Sequence, residues 1–488
     1  MKRDSTVTGI GTCFGSVMSS TSASTPEESL IVLSDVHLGS DLNDGGPRRS
    51  PRIDADLVRL VEHYREQEPA GRRWRMVIAG DFIDFIGMAI SADEAEVATP
   101  PTDEEKEPGL GNAEDHARLK LRRVAARHAD VFRALARFLE AGHAITLVHG
   151  NHDVELHWQA VRDELADALL EHTSPGVDRA GFLGRIEHAP WFYWVGGLVY
   201  VEHGHQYDPF CAVDHIMAPL SPLHPRRLAQ GFCEVLLRFV VRPTKGLSEH
   251  GHEAMGIADY LSFGLKLGVR GAFAVFVRFV RAILELFKLR RAHLSDAAVA
   301  LREEHDHRMA LLAEAKRIGL DRLRALVALQ SPPVTRTIRG ILASVLLDRI
   351  ALALGASTVL CGLAVILTSS GRFLWAAAVV LGAWGLAHWH LMRQRKVCRS
   401  NQLAGRASHL ARLFPAAFVV MGHTHIPVCQ PALDGASTYV NVGSWSEDEH
   451  ASSDEQRAPR MHLVIHPREG GAEGGLYKWD SEAGPRPV

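Results

Sequence analysis

Histidine, aspartate and asparagine side chains directly follow several short apolar runs of the chain. The clearest case is Gly422-His423-Thr424-His425, which comes after the apolar residues 416–420. Two imidazoles at positions i and i+2 beyond a buried strand can both face one metal centre. A chance His-x-His on a surface loop is the alternative for this motif alone, so its meaning depends on the other strand ends.

The first apolar run, residues 30–33, is followed by Asp35 and His37. A continuous apolar run of this length is typical of a strand that is covered on both faces. Two residues apart at the strand end, the pair can aim an oxygen and a nitrogen at one ion. The alternative is an aspartate that caps a helix beside an unrelated histidine.

The second run, residues 74–79, ends in Gly80-Asp81-Phe82-Ile83-Asp84. Gly80 allows a tight exit from the strand and leaves the carboxylate of Asp81 able to bridge two ions. Asp84 is expected to orient the site or to cap the following segment rather than to bind metal.

The third run, residues 144–148, is followed by Asn151, His152 and Asp153. The amide oxygen of Asn151 suits a metal as a neutral ligand, and His152 can donate a proton or stabilise charge. Asp153 can fix the tautomer and orientation of a histidine. A turn built from Asn and Asp without any chemistry is the alternative.

A predicted hairpin over residues 192–201 leads to His203-Gly204-His205. We expect His203 to be a metal ligand because it leaves the strand directly before a permissive glycine. His205 is the second choice for that ligand, or a residue on the substrate side of the site.

The remaining elements of this part of the chain are expected to support these strand ends. Helical spacing predicts helices over residues 54–66 and 113–141, and further strands are expected over 437–445 and 461–465. The Ser/Thr-rich residues 1–28 lack a signal-peptide core and predict a disordered leader. The Gly-rich tail from about residue 470 is expected to be poorly ordered, with one further edge strand possible over residues 476–479.

Composition excludes some partners. The formal net charge is −3, so no basic surplus favours specific nucleic-acid binding. The 27 histidines are too many for all to be functional, and only those in the motifs carry the argument. The six cysteines form neither a Cys-x-x-Cys pair nor a dense framework.

The middle of the chain, residues 211–410, has helical and apolar character without further strand-end motifs. Residues 255–289 interleave arginine and lysine with aromatic residues at helical spacing, a pattern that suits an interfacial helix on an anionic bilayer. A helix packed against its own domain is the alternative.

Residues 350–368 and 373–392 contain no Asp, Glu, Lys or Arg. Each stretch has about 20 residues, enough to cross the roughly 30 Å hydrocarbon core as a helix. They therefore predict a transmembrane hairpin, with a buried hairpin of a soluble domain as the alternative. Arginine and lysine residues flank both ends, which predicts that both flanks, and the catalytic part with them, face the cytoplasm from an inner or plasma membrane.

In identity, order and position the five motifs together resemble those of the calcineurin-like metallophosphoesterase family. The resemblance covers residues from about 30 to 445 except the helical part. It implies an α/β fold in which two mixed sheets form a β-sandwich flanked by helices and interrupted by a helical insertion. The domain boundaries are then 1–28 for the leader, 29–210 and 411–480 for the two parts of the catalytic domain, and 211–410 for the insertion.

The resemblance also implies roles for the residues of the motifs. One divalent ion would be held by Asp35, His37 and His425, and the other by Asn151, His203 and His423, with Asp81 as the bridge between them. His152 would take the place of the catalytic histidine, with Asp153 and Asp84 in support. Mn²⁺ is the expected metal, and Fe²⁺ and Zn²⁺ are alternatives, because carboxylate, amide and imidazole ligands suit such ions.

The expected function is therefore that of a membrane-anchored phosphohydrolase. Attack of a metal-bridging water would cleave a phosphoester or pyrophosphate bond of a lipid-linked or membrane-proximal substrate. The pattern is also similar to UDP-2,3-diacylglucosamine hydrolases, although those enzymes usually have Arg at the place of His152 and lack the hairpin. The alternatives are a tethered phosphodiesterase for soluble nucleotides and a non-catalytic membrane scaffold.

Overall fold

Thirteen strands and thirteen α-helices form the part of the chain that the computed structural model describes. The described residues are 17–18, 28–42, 50–67, 71–91, 97–106, 109–244, 266–345, 347–367, 372–395, 399–433, 435–446, 459–469 and 471–488.

The first sheet contains eight strands in the order β1-β12-β11-β2-β3-β4-β5, with β13 paired to β12. Strands β2 to β5 run parallel to one another, and β11 pairs antiparallel with β2. The strands of this sheet are β1 (Val17–Met18), β2 (Glu28–Leu33), β3 (Arg73–Ala79), β4 (Ala144–Val148), β5 (Ile186–Ala189), β11 (Met461–Arg468), β12 (Gly471–Asp480) and β13 (Gly484–Pro487).

The second sheet has five strands in the order β6-β7-β8-β10-β9. Its central strands β7, β8 and β10 are parallel, and the outer strands β6 and β9 are antiparallel to their neighbours. The strands are β6 (Phe192–Val195), β7 (Gly197–Glu202), β8 (Ala416–Met421), β9 (Val428–Pro431) and β10 (Thr438–Asn441).

The two sheets face each other across a shared apolar layer. Val32 and Val77 of the first sheet belong to the same buried cluster as Val201, Phe418 and Val420 of the second. Because strands β2, β3 and β8 are covered on both faces, they read as continuous apolar runs in the sequence. The predicted mixed α/β architecture with two sheets and flanking helices is confirmed.

Helices cover the outer faces of both sheets. The first sheet is covered by α1 (Pro51–Arg65), α2 (Glu114–Arg127), α3 (Ala129–Glu140) and α4 (Gln159–Leu170), and α5 (Arg179–Leu183) precedes β5. The remaining helices are α6 (Phe232–Leu236, continued by a π-helical turn), α7 (Gly268–Ala292), α8 (Asp296–Ala315), α9 (Leu320–Leu329), α10 (Ile338–Ser344), α11 (Leu347–Leu367), α12 (Arg372–Arg395) and α13 (Arg399–Leu413). Of these, α8, α9 and α13 pack on the outer face of the second sheet.

The predicted single helix over residues 113–141 is wrong, because the helix is interrupted at His128. This residue has φ −113° and ψ 33°, outside helical values. Its buried ring accepts a hydrogen bond from the backbone N–H of Gly39 at 3.1 Å and contacts Asp54 at 2.5 Å. Contacts with distant parts of the chain thus divide a segment whose local pattern is continuous.

The expectation of a poorly ordered tail with one edge strand is also wrong. Strand β12 pairs with β11 over eight residues and has β13 and β1 on its other side. Glycine in this strand has a packing reason, since a Cβ atom on Gly474 would lie 2.7 Å from the ring of Phe418 in the opposite sheet. Glycine content here reflects close approach of the sheets rather than disorder.

Within the predicted leader, Val17–Met18 form strand β1 and Glu28 begins β2, while the other residues of that segment lie outside the described residues. The strand predicted over 437–445 is limited to β10, and β5 and β9 were not predicted. The predicted hairpin of β6 and β7 is confirmed. The domain boundaries stay a prediction.

Two helices, Leu347–Leu367 and Arg372–Leu391, are long and apolar enough to cross a membrane. They pack against each other, and their other surfaces are open, with Val365 and Trp375 each 79% exposed. The tight turn that was predicted between them lies outside the described residues.

Helix α7 has two different apolar faces. Ala282 and Leu286 are buried against α6 and α10, whereas Phe273 and Phe276 are 67% and 63% exposed. The described part of the basic, aromatic segment therefore both packs on its own domain and presents an apolar surface. Residues 255–265 of that segment lie outside the described residues.

Candidate metal centre

The loops that follow β2, β3, β4, β7 and β8 meet at one edge of the two sheets. Their backbones are joined by hydrogen bonds: the N–H of Asp35 donates to Gly80 at 3.1 Å, and the N–H of Gly422 donates to His203 at 3.1 Å. Parallel strands bring their carboxyl ends to the same edge, so motifs that are hundreds of residues apart in sequence become neighbours.

Backbone strain is concentrated in these loops. In the described part of the chain, six residues other than glycine have a positive φ, and five of them are predicted metal ligands. The five are Asp35, His37, Asp81, His423 and His425, with φ between 50° and 67°. Non-glycine residues rarely adopt this conformation, which is retained where the surrounding structure holds a functional side chain in place.

Two glycines allow the loops to approach one another closely. Gly80 has φ +89°, and a Cβ atom there would collide with the ring of His203. A Cβ atom on Gly422 would collide with the side chains of Ser34 and Asp35. Glycine is required at both positions because neighbouring ligand side chains occupy the space.

One group of possible ligands consists of Asp35, His37 and His425. Their ligand atoms lie within 4.8 Å of one another. The Nε2 atom of His425 is 3.0 Å from Oδ1 of Asp35, and the Nε2 atom of His37 is 3.8 Å from the same oxygen. The structure thus brings together the three residues that were predicted for the first ion.

A second group shares Asp35 and adds Asp81 and His203. The Nε2 atom of His203 lies 3.1 Å from Oδ2 of Asp81 and 3.1 Å from Oδ1 of Asn151. The opposite ring nitrogen, Nδ1, donates to the carbonyl of Ala79 at 2.9 Å. This hydrogen bond fixes the tautomer and leaves Nε2 as the ligand atom, as metal-binding histidines require.

Asp81 lies between the two groups. Its Oδ2 atom is 3.6 Å from Nε2 of His37 and 3.1 Å from Nε2 of His203. Its other oxygen accepts the backbone N–H of His152 at 2.9 Å. This position is the one that a bridging carboxylate would occupy.

His423 faces a different set of residues from the one predicted. Its ring centroid is 5.2 Å from that of His203, but its Nε2 atom lies 3.3 Å from Oδ2 of Asp208. Asp208, Cys211 and His423 form a separate group whose ligand atoms are within 4.8 Å of one another. Sequence reasoning missed Asp208 and Cys211, because they follow the fourth motif without a recognisable spacing.

His152 lies at the mouth of the site. Its Nδ1 atom donates to Oδ1 of Asp84 at 2.7 Å, and its ring stacks edge-on against His37 with centroids 4.7 Å apart. Asp84 also accepts the backbone N–H of Gly87 at 2.6 Å. The expectation that Asp84 orients the site therefore agrees with its contacts.

The expectation that Asp153 orients a histidine does not hold. Its two carboxylate oxygens accept the backbone N–H groups of Phe82 at 2.7 Å and of Gly150 at 2.6 Å. Asp153 thus fixes the loops after β3 and β4 to each other, and Asp84 makes the contact with His152. Burial and the nearby charge of Asp81 raise the pKa of Asp153 to about 6.

A cavity of about 690 Å³ opens beside the strand ends. Asn151 and His152 lie on one side of it, and Phe210, Ile216 and Leu237 of the segment after β7 supply apolar walls. His205 also lines this cavity, and its Nε2 atom is 3.0 Å from the side-chain amide of Gln206. His205 is therefore placed on the cavity side, whereas His203 is placed among the ligands.

Carboxylates dominate the electrostatics of the site. Burial opposes the charged form of His37 and of His152, but the neighbouring carboxylates outweigh burial and raise the pKa of both rings. Burial likewise opposes ionisation of Asp81, but His203 and His152 lower its pKa. A site of this kind favours positive charge, which either protons on the imidazoles or bound cations can supply.

The donor set fits divalent metal ions. Buried carboxylates, imidazoles and one amide oxygen converge from five loops, and such mixed oxygen and nitrogen ligands suit Mn²⁺, Fe²⁺ and Zn²⁺. The structure therefore contains possible metal-binding groups of His and Asp.

No protein-family model matches the chain, and a search of curated proteins also gives no match.

Proposed function

We propose that this chain is a calcineurin-like metallophosphoesterase: a membrane-anchored hydrolase that depends on two divalent metal ions and cleaves a phosphoester or pyrophosphate bond. The observation that carries the proposal is the concentration of positive φ at five predicted ligands. Strain of about 1–3 kcal/mol at each position is retained where the side chains must converge on a ligand.

The residues divide into two groups around Asp81. Asp35, His37 and His425 would hold one ion, and Asn151 and His203 the other, with Asp81 between them. Ions bound there would activate water for in-line attack on phosphorus and neutralise the charge on the phosphoryl oxygens. Mn²⁺ remains the proposed metal.

His152 is the proposed general acid. Asp84 accepts the hydrogen bond from Nδ1, which leaves Nε2 to hold the proton that a leaving oxygen needs. The ring is partly open to the cavity, whereas Asp84 is almost fully buried. Asp153 acts only through the backbone of the two loops that it joins.

Two features support a lipid-linked or membrane-proximal substrate. The helices α11 and α12 have the length and composition of a membrane hairpin. The exposed face of α7 adds Phe273 and Phe276 beside exposed Arg270 and Arg281, a combination that suits the interface of an anionic bilayer. Under the positive-inside rule the site would face the cytoplasm.

The test of the substrate class compares two compounds on the full chain, in detergent and in vesicles. We expect hydrolysis of a UDP-linked lipid that depends on vesicles, together with slower hydrolysis of bis-p-nitrophenyl phosphate in both conditions. Cleavage of the soluble diester alone would favour a tethered phosphodiesterase. Cleavage of neither compound at any metal concentration would favour the non-catalytic scaffold.

A further inference from the structure

A second group of metal-ligand side chains lies next to the proposed pair of ions. Asp208 and Cys211 come from the segment after β7, and His423 comes from the loop after β8. The carboxylate oxygen of Asp208 is 3.3 Å from Nε2 of His423, and all three ligand atoms lie within 4.8 Å of one another. None of these distances involves the residues that hold the proposed pair.

A second thiol adjoins this group. The sulfur atom of Cys233, in α6, lies 3.2 Å from that of Cys211, and both cysteines are reduced. Cys211 and Asp208 are buried, at 7% and 3% exposure. The two cysteines are 22 residues apart, so no local motif marks them in the sequence.

We propose that Asp208, Cys211 and His423, with Cys233 as the fourth donor, form a separate site for a thiolate-bound Zn²⁺ ion. Carboxylate, imidazole and two sulfur atoms make up a four-donor set of the kind that tetrahedral zinc accepts. Thiolate ligands distinguish the site from the pair, whose oxygen and nitrogen donors suit harder ions. On binding, the Zn–S bonds form as the cysteine thiols release their protons to solvent.

The cavity provides an entry path to this site. Cys211 and Cys233 both line it, on the side opposite to Val154 and Ile86. A buried site that can be loaded after folding needs such an opening.

The ion would also connect two parts of the chain. Cys233 lies in the first helix after the segment that leaves β7, whereas His423 follows β8, the strand at which the second sheet resumes. A metal bond across this junction would fix α6 against the edge of the catalytic sheets. We expect this structural role rather than a part in hydrolysis.

The inference goes beyond the proposed function and does not depend on it. One Nε2 atom can bind one ion, so His423 would serve the thiolate site, while Asn151 and His203 serve the pair. The thiolate site can therefore be filled in a protein that hydrolyses nothing.

The experiment is zinc X-ray absorption spectroscopy together with metal analysis, on the full chain purified in detergent under reducing conditions. We expect sulfur in the coordination shell at about 2.3 Å from zinc, and loss of that sulfur and of roughly one ion per chain in Cys211→Ser. Cys233→Ser, at a less buried position, should lower the number of sulfur ligands by one. Cys361→Ser, on the exposed surface of α11, is the matched control and should change neither quantity.

A further variant separates this inference from the proposed function. Asp81→Asn should remove the pair of ions but leave the sulfur signal in place. A sulfur signal that is missing from the wild type, or that persists in full in Cys211→Ser, would overturn the thiolate site. Loss of the sulfur signal in Asp81→Asn would show that the thiolate belongs to the pair, and would also overturn a separate site.

Discussion

The strand-end loops and the helical region after β7 solve opposite problems. In the loops, polar side chains are buried, and each is held by several partners, as Asp81 is by His203 and the backbone of His152. In α7 and α11, large apolar side chains such as Phe273 and Val365 are exposed. One region hides charge from water, and the other presents apolar surface.

This difference shows which surroundings each region requires. Buried carboxylates and imidazoles are stable only if their charges are balanced, which a cation achieves in the loops. Exposed apolar helices are stable only if something other than water covers them, which a bilayer achieves. Each of the following predictions breaks one side of this comparison, or sharpens it.

The largest expected effect is on Asp81→Asn. The amide cannot bridge two cations as a carboxylate does, so we expect hydrolysis to fall by about 10³-fold and metal content to drop with it. Asp103→Asn, an exposed carboxylate on the same part of the chain, is the matched control and should have wild-type activity and metal content. Equal activity of the two variants would remove Asp81 from the site.

Asp84→Asn should have a smaller effect. It removes the carboxylate that holds His152, so we expect a loss of about 10–100-fold in kcat with metal content retained. Burial lowers the pKa of His152 but Asp84 and Asp81 raise it, so the variant should lower that pKa. If His152 acts as an acid, the alkaline limb of the rate profile should then move to lower pH; an unchanged profile would contradict that role.

On the helical side, photo-crosslinking tests whether α7 contacts lipid. Phe276, replaced by p-benzoylphenylalanine in the full chain in anionic vesicles, should form about 10-fold more lipid adducts than the same group placed at Leu311. Leu311 is a suitable control because it is also an exposed apolar side chain, on α8. Equal yields at the two positions would indicate that α7 has no special contact with the membrane.

The smallest expected effect concerns the support of the sheets. Burial, followed by the charge of His63, lowers the pKa of His462 to about 3, and this ring is hydrogen-bonded to Tyr64 at 2.7 Å. The unfolded chain therefore takes up a proton near the ordinary pKa of 6.5 while the folded chain does not, so stability falls as the pH falls below that value.

The expected loss is about 1 kcal/mol between roughly pH 6.5 and 5.5, or about a fivefold decrease in the protection of β11 amides from hydrogen exchange. His462→Gln can keep the hydrogen bond to Tyr64 without titrating, and should lose less protection over this interval. An equal loss in both proteins would place the acid sensitivity elsewhere.

The sequence predicted the parts of the fold that depend on local patterns. Strand β4 agrees with its prediction to the residue, because an apolar run between two turns is a local signal. The interruption at His128 and the order of β12 could not be predicted, since each depends on contacts with distant residues, Asp54 and Phe418. Pattern alone cannot show such contacts.

The same distinction applies to the site. Strand-end position predicted that Asp35, His37 and His425 would converge, and the structure brings them together. It could not predict that His423 turns toward Asp208 and Cys211, because that contact requires the segment after β7 to fold back over the strand ends. Topology places a ligand at the right edge of a sheet, but packing decides which way its ring faces.

The central claim is that the carboxylate and imidazole residues at the strand ends bind a pair of catalytic metal ions. The most direct test measures metal content and bis-p-nitrophenyl phosphate hydrolysis on the same detergent-purified samples of wild type and Asp81→Asn. The account predicts at least about two ions per chain in the wild type, and loss of the pair together with the activity in the variant. A wild-type protein that binds no metal at saturating Mn²⁺ or Zn²⁺, or a variant that keeps both ions and full activity, would contradict it.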